Sequence, residues 1–176
     1  IDLAISSGGE TLYCLNMFLG TLSTIDTERL VSISTLKVGT SPRALTIGAD
    51  GTLFVVDAID DRIAFVNPAT AEIGYVPVGD RPEALALSPD ARLLYCVNLL
   101  SQDLTILDVA TRSPVRRVSL ESRPGGIAIH PNGQYLYVAN RQNGTVSILD
   151  AESCGLLDSV ETGGGPTKII VYSREN

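Results

Sequence analysis

Residues 124–140 read PGGIAIHPNGQYLYVAN, and residues 141–150 continue as RQNGTVSILD. Three short apolar runs are separated here by two turn sequences, which contain Asn132-Gly133 and Asn143-Gly144. Asn-Gly pairs tolerate the positive φ angles that tight hairpins require. The stretch therefore predicts β-strands at residues 126–130, 135–140 and 145–150, and a fourth strand follows at about 156–161.

The same pattern recurs three times upstream. The prolines that open the units, Pro42, Pro82, Pro124 and Pro166, stand 40, 42 and 42 residues apart. Each unit also carries an apolar–aromatic run that ends in Asn or Asp, at residues 12–16, 53–57, 94–98 and 136–140. A period of about 40 to 45 residues that holds four short strands is typical of a propeller blade. The apolar spacings of three and four that helical repeats need are absent. The sequence therefore predicts an all-β propeller built of four-stranded antiparallel blades.

The period divides the chain into blades at residues 1–38, 39–78, 79–120 and 121–162. Residues 163–176 begin a fifth unit, with an inner strand expected at 168–172. Four blades and one extra strand would leave two apolar blade faces uncovered. We therefore expect that the chain forms an arc of a larger ring, for which seven blades is a plausible number. The alternatives are a four-bladed ring with a displaced end strand, or two self-associated chains that form an eight-bladed ring.

The strands of each unit differ in character. The first strand is apolar on both faces, as at residues 44–47, 84–87 and 127–129. This predicts a strand packed on each side and nearest the ring centre. The last strand carries charge, as at Arg116 and Arg117, and such charge protects an outer edge from pairing with other chains.

The charge and the cysteines limit the classes of function. Thirteen Lys and Arg against 20 Asp and Glu give a net charge of −7, which disfavours a nonspecific nucleic-acid or anionic-membrane binder. No apolar run reaches the roughly 18 residues of a spanning helix, and no targeting signal can be read from Ile1 onward. Cys14 and Cys96 share one strand position and are expected as small core residues, whereas Cys154 is expected to be exposed in a turn.

The motifs Gly-x-x-Pro, Pro-Asp/Asn-Gly, Leu-Tyr-Val-x-Asn and Val-Ser-Ile-Leu-Asp resemble the YVTN-type β-propeller repeat. This repeat belongs to the lactonase-like and quinoprotein-amine-dehydrogenase-like propeller superfamily. Residues 137–140 match most closely, and Phe54 with Asp57 departs furthest. The resemblance implies that the aromatic residue packs between blades and that the Asn or Asp ties down a turn. It also implies an exported protein, in the periplasm, secreted or in a surface layer.

Propellers bind ligands at one mouth of the central channel, which the loops leading into each first strand line. These loops are residues 39–43, 79–83, 121–125 and 163–167. The candidate ligand-binding residues are Arg43, Arg81, Glu83 and Arg123. The three arginines could form a cationic crescent for a carboxylate or phosphate. Alternatively, they pair with Asp80, Glu83 and Glu121 as solvated loop charges.

No catalytic residue, metal site or cofactor is predicted. His130 is a lone histidine and is expected as a turn residue, and Asp57, Asp60 and Asp61 form an acidic loop expected to be solvated. A Gly-x-Ser-x-Gly elbow and the phosphate-binding glycine motifs are absent. The sequence favours a non-enzymatic scaffold that binds a protein, peptide or cell-surface partner through its loops. The alternative is a lactonase-like or quinoprotein-type enzyme with its site at the central channel. A DNA-binding propeller is disfavoured by the charge.

Overall fold

The computed structural model describes residues 2–172, and its secondary structure within these residues is entirely β-strand and turn. The strands form four sheets, each made of four consecutive antiparallel strands. This confirms the predicted all-β class and its four-stranded antiparallel units. The described part of the chain contains no helix that could span a membrane. The chain divides into two compact units, Ile1–Pro82 and Glu83–Asn176.

The first unit holds two sheets. The first sheet consists of β1 (Leu3–Ile5), β2 (Thr11–Asn16), β3 (Thr21–Asp26) and β4 (Val31–Lys37). The second sheet consists of β5 (Pro42–Ile47), β6 (Leu53–Asp57), β7 (Arg62–Asn67) and β8 (Glu72–Pro77). Contacts of β5 with β1 and β2 join the two sheets.

The second unit holds the other two sheets. The third sheet consists of β9 (Pro82–Leu87), β10 (Leu93–Asn98), β11 (Asp103–Asp108) and β12 (Ser113–Ser119). Pro82, the first residue of β9, is also the last residue of the first unit. The fourth consists of β13 (Pro124–Ile129), β14 (Tyr135–Asn140), β15 (Thr145–Asp150) and β16 (Leu156–Glu161). The last three strands have the predicted bounds, and β13 begins two residues earlier than predicted.

The extra inner strand predicted at residues 168–172 is not observed. Residues 163–172 carry no strand, and residues 173–176 lie outside the described part of the chain. A strand requires ladder hydrogen bonds to a neighbour. The sheet that this segment would open has no second strand among the described residues. The backbone nevertheless passes close to β13, since a Cβ added to Gly126 would lie 2.7 Å from the carbonyl oxygen of Thr167.

Tight turns join the first two strands of each sheet. In the fourth sheet, the amide of Gly133 donates to the carbonyl of His130 at 2.8 Å, and Gly133 has a φ of 76°. Glycine adopts this left-handed conformation without steric cost. The third sheet places Ala91 at the same turn position with a φ of 57°, where the Cβ introduces strain.

The two middle strands of each sheet supply most of the core. In β6 every residue is buried, and β10 and β11 are nearly as well covered. The prediction that both faces of the first strand are packed holds only in part, because most residues of β5 and β9 are half-buried. The last strands β4, β12 and β16 are almost wholly exposed, which agrees with the outer-edge role predicted for Arg116 and Arg117 in β12.

The Asn that ends the second strand fastens that strand to the third. Asn140 Nδ2 donates to Thr145 Oγ1 at 3.0 Å and to Ser147 Oγ at 2.7 Å. Asn98 is fully buried and donates to Asp103 Oδ1 at 2.6 Å and Thr105 Oγ1 at 2.8 Å. The side chain thereby closes the hairpin between the two middle strands, which agrees with the role that the resemblance implies.

The second sheet has Asp57 at this position and uses different chemistry. Asp57 is fully buried, so the prediction that it is solvated is wrong. Its carboxylate accepts hydrogen bonds from the amides of Thr40 at 3.0 Å and Ser41 at 2.9 Å, and it pairs with Arg62 Nη2 at 3.2 Å. A buried carboxylate needs such partners to offset its desolvation. The guanidinium of Arg62 lies 3.9 Å from the ring centroid of Tyr75 and also binds Asp60.

The cysteines are free thiols with different exposure. Cys14 is half-buried and Cys96 is buried, as expected for core positions. Cys154 is also buried, so its predicted exposure is wrong. Its amide donates to the carbonyl of Asp150 at 2.8 Å, and the turn with φ of 56° directs the thiol into the core of the second unit. Burial raises the pKa of the Cys96 and Cys154 thiols, so both are neutral at pH 7.

Candidate functional site

The residues predicted to line the channel mouth are divided between the two units. Arg43 is half-buried in β5, and Arg81 is exposed, with its backbone amide bonded to Asp61 Oδ1 at 2.7 Å. In the second unit, Glu83 is half-buried in β9, and Arg123 is exposed immediately before β13. Arg43, Arg81 and Glu83 all have interaction partners. The cationic crescent stays a prediction.

A concave site lies elsewhere, between the third and fourth sheets of the second unit. It is a cleft of about 720 Å³ at the end of the sheets where the first hairpin turns lie. This volume falls within the range of small-molecule sites, about 300–1,000 Å³. Its lining from the third sheet is Ser88, Pro89, Asp90, Arg92, Leu93, Tyr95, Ile106, Val115 and Arg116, and from the fourth sheet Asn132, Gly133, Ala151 and Glu152.

The register of the third sheet sets the floor and wall of the cleft. Tyr95 pairs with Ile106, and Ile106 pairs with Arg116, so the three residues form one row across the sheet. Tyr95 and Ile106 are 3% and 4% exposed and form the floor, and the Tyr95 hydroxyl donates to the carbonyl of Ala151 at 3.4 Å. The pairing shifts between Ile106 and Leu107, which leaves Val115 as an extra residue in β12. Such a bulge re-aims a side chain, and Val115 is 61% exposed beside the row.

The charged groups of the cleft have different surroundings. Asp90 Oδ1 accepts from the Ser88 hydroxyl at 2.5 Å and the Arg92 amide at 3.1 Å, and these bonds hold the pKa of Asp90 below its usual value. Arg116 Nη2 donates to the backbone carbonyl of Glu152 at 3.0 Å. Burial raises the pKa of the Tyr95 phenol, which stays protonated at neutral pH.

The first unit has a smaller counterpart of this cleft, with a volume of about 400 Å³. Tyr13 takes the place of Tyr95 on its floor, and Asp50 and Gly51 belong to the hairpin turn at its edge. The remaining lining residues are Ile5, Ser6, Ser7, Ile47, Gly48 and Ala49. The concavity thus recurs in both units, whereas arginine lines only the larger one among the described residues.

A comparison with protein families accounts for this repeated architecture. A family model described as YNCE-like beta-propeller matches residues 28–176. The chain belongs to the YNCE-like β-propeller family. The predicted propeller repeat is thereby confirmed.

Solved structures share the fold of this YNCE-like propeller. A chain of the Kuenenia stuttgartiensis hydrazine synthase matches with a TM-score of 0.85 and 21% identity, covering 90% of this chain and 48% of that chain. A functionally unknown protein from Desulfotomaculum acetoxidans DSM 771 matches with a TM-score of 0.76 and 17% identity, covering 90% of this chain and 55% of that one. The chain therefore spans about half the length of these structures. No curated protein matches it.

The sequence interpretation missed the cleft of this YNCE-like propeller. The sequence pattern assigns Arg116 to edge protection and does not mark Arg92 or Tyr95 as site residues. A comparison of the repeats would have indicated Arg116, because its position in β12 is taken by Ser34, Gly74 and Asp158 in the other sheets. A charged residue that differs between otherwise similar repeats indicates a local role.

No group of three or more His, Cys, Asp or Glu side chains in residues 2–172 could hold a metal ion. His130 follows β13 directly, and its Nδ1 accepts a hydrogen bond from the amide of Asn132 at 3.2 Å. Its ring lies 6.0 Å from that of Tyr135 in an edge-to-face arrangement. These contacts fit the turn role predicted for it.

Proposed function

We propose that this YNCE-like propeller is a non-catalytic binding module and that its binding site is the cleft of the second unit. The observation that carries the proposal is the cleft of about 720 Å³, which combines a buried aromatic floor with charged groups at its edge. Ligand sites commonly combine a concave apolar surface with a few polar groups that fix orientation. The lead-in loops with Arg43, Arg81 and Arg123 are the competing binding surface.

Similarity of fold alone does not identify a reaction that this chain would catalyse. The hydrazine synthase chain is 21% identical, and unrelated functions recur on one propeller fold. A lactonase-like or quinoprotein-type activity is the competing function. Lactone hydrolysis or amine oxidation by the purified chain at rates well above the uncatalysed reaction would contradict the binding-module proposal.

The proposal is tested by two-dimensional amide NMR of the purified chain against a library of small neutral, acidic and basic fragments. We expect shift changes concentrated at the hairpin turns and strands that line the cleft. Shift changes concentrated at residues 39–43, 79–83 and 121–125 would refute the cleft and favour the channel mouth. A triple variant with Ala in place of Arg43, Arg81 and Arg123 is the matched control and should bind the fragments as the parent chain does.

We propose an extracytoplasmic location on the basis of the resemblance to exported and surface-associated propellers. A partner there would be a secreted protein or a component of the cell surface. Fractionation of cells that carry an epitope-tagged protein, into medium, cell-surface, periplasmic and cytoplasmic fractions, tests the location. Recovery of the protein in the cytoplasmic fraction alone would contradict it.

A further inference from the structure

We infer that the cleft of the second unit takes a small organic acid, with its carboxylate on Arg116 and its apolar body on Tyr95 and Val115. This inference rests on the proposed binding function and adds the chemical class of the ligand. Arg92, at the start of the same wall, supplies a second cation. Guanidinium groups bind carboxylates through paired N–H donors, which gives both strength and orientation.

The other repeats show that the fold does not require Arg116. The row that contains Tyr95, Ile106 and Arg116 has an equivalent in each sheet, although β7 and β8 of the second sheet pair without the register shift that the other sheets have. The residues that end this row in the other three sheets are Ser34, Gly74 and Asp158. Three sheets with the same strand order form without a cation at this position. A role in ligand binding explains an arginine that folding does not need.

The contacts of Arg116 orient its guanidinium and leave its charge in place. Nη2 donates to the backbone carbonyl of Glu152 at 3.0 Å, and the guanidinium also bonds the thiol of Cys154. Neither partner carries a formal charge at neutral pH. Arginine has five N–H donors in a fixed planar arrangement, so these bonds leave others for a carboxylate. Fixing the side chain in advance lowers the entropy that a ligand would otherwise lose on binding.

The carboxylate of Asp90 does not occupy this arginine. Its Oδ1 accepts from the Ser88 hydroxyl and the Arg92 amide, which are both in its own turn. The side chain of Arg92 lies in the field of Asp90, since the two interact electrostatically. Arg116 is therefore the principal anchor of the acid, and Arg92 contributes less.

Apolar surface next to the arginine selects against fully polar anions. The floor is aromatic and aliphatic, and the exposed Val115 forms a wall at the side of Arg116. Burial of apolar ligand surface contributes about 25 cal/mol per Å². Inorganic phosphate lacks such surface, so an acid with an apolar body is the better match.

The test uses 4-phenylbutyrate as the acid, 4-phenylbutanamide as its neutral analogue and inorganic phosphate as the polar anion. Dissociation constants come from amide NMR titrations of the purified 176-residue chain. We expect the acid to bind at least about tenfold more tightly than the amide, because the amide lacks the charge. Shift changes should lie at residues 88–95, 115–117 and 151–152.

Variants identify the anchor. Arg116→Ala should weaken acid binding by at least about tenfold, and Arg116→Lys should give an intermediate loss because lysine cannot bind bidentately. Arg92→Ala should cost less than Arg116→Ala. Arg29→Ala removes an arginine that is 82% exposed and lies outside the cleft, so it should leave binding unchanged. Arg116→Gln, compared by its NMR spectrum with the parent, is a second variant if Arg116→Ala disturbs the fold.

The outcomes separate this inference from the proposed function. The inference of an acid ligand is contradicted if the acid and the amide bind equally in the cleft. It is also contradicted if the dissociation constant of Arg116→Ala lies within about twofold of the parent value. Either result leaves the proposed binding function intact. The inference of a small-acid ligand would also be contradicted if a peptide such as N-acetyl-Ala-Phe-Glu-Ala-amide binds in the cleft and 4-phenylbutyrate does not. Failure of the entire fragment library at the cleft would overturn both proposals.

Discussion

Asp57→Ala removes the acceptor on which one lead-in loop depends. The substitution leaves the amides of Thr40 and Ser41 without their carboxylate, together with the guanidinium of Arg62. Breaking a buried ion pair by removing one partner costs about 3–5 kcal/mol. The Arg62 side chain is 30% exposed and can recover part of its hydration, so the expected loss is about 3 kcal/mol.

Two further variants separate charge from shape. Asp57→Asn keeps an oxygen for the two amides and loses the ion pair, so about half of that loss is expected. Adding Arg62→Thr and Ala64→Ser to Asp57→Asn reproduces the arrangement of Asn140 with Thr145 and Ser147, and should recover part of the stability. Asp60→Ala is the matched control, because Asp60 binds the same Arg62 from an exposed position and should cost less than about 1 kcal/mol.

Urea unfolding followed by circular dichroism measures the free energy of unfolding of these variants. Hydrogen exchange at Thr40 and Ser41 measures the local effect, and faster exchange is expected wherever Asp57 is replaced by alanine. An Asp57→Ala protein within about 0.5 kcal/mol of the parent would refute the importance assigned to this carboxylate.

Three other changes have defined outcomes. Because burial raises the folded-state pKa of Cys96, the unfolded state loses its proton first, and Cys96 lowers the free energy of unfolding by up to about 1.4 kcal/mol per pH unit above about pH 8.5. Cys96→Val should therefore reduce the slope of the stability loss between pH 8.5 and 10, as measured by urea unfolding, while the contribution of Cys154 remains. An unchanged slope would contradict this assignment. Ala91→Gly relieves a positive φ and should raise the free energy of unfolding by about 0.5–1 kcal/mol, and a loss of stability would show that Ala91 is not strained. Gly126→Ala brings a Cβ against Thr167 and should speed tryptic cleavage after Lys168, whereas Gly164→Ala, which meets nothing within 4 Å, should not. Equal cleavage of the two variants would exclude a close approach at β13.

The strands were predictable because turn chemistry and apolar alternation agree in each repeat. Residues 135–140 illustrate this, since Asn-Gly pairs lie on both sides of an apolar run and β14 has the predicted bounds. Burial at the ends of strands was harder to infer. Asp57 is polar, and only its contacts with Thr40, Ser41 and Arg62 make its burial tolerable.

The direction of turn side chains and the cleft at the strand edges could not be predicted from the sequence, and the reason is physical. The alternation that assigns strand residues to a face does not extend into a turn, where local dihedral angles set the direction of each side chain. Cys154 has a φ of 56° and points into the core, although its neighbours are exposed. The cleft depends on which side chains of two sheets converge. One strand pattern cannot show that Arg116 reaches the carbonyl of Glu152.

Each sheet completes its backbone ladder within four successive strands, so its pairing partners are near in the chain. Consecutive strands need only short loop closures, which cost little entropy and form quickly. During synthesis, one sheet can therefore pair its strands before the next has left the ribosome. The same locality lets a gene lengthen or diversify such a protein by tandem duplication, one sheet at a time.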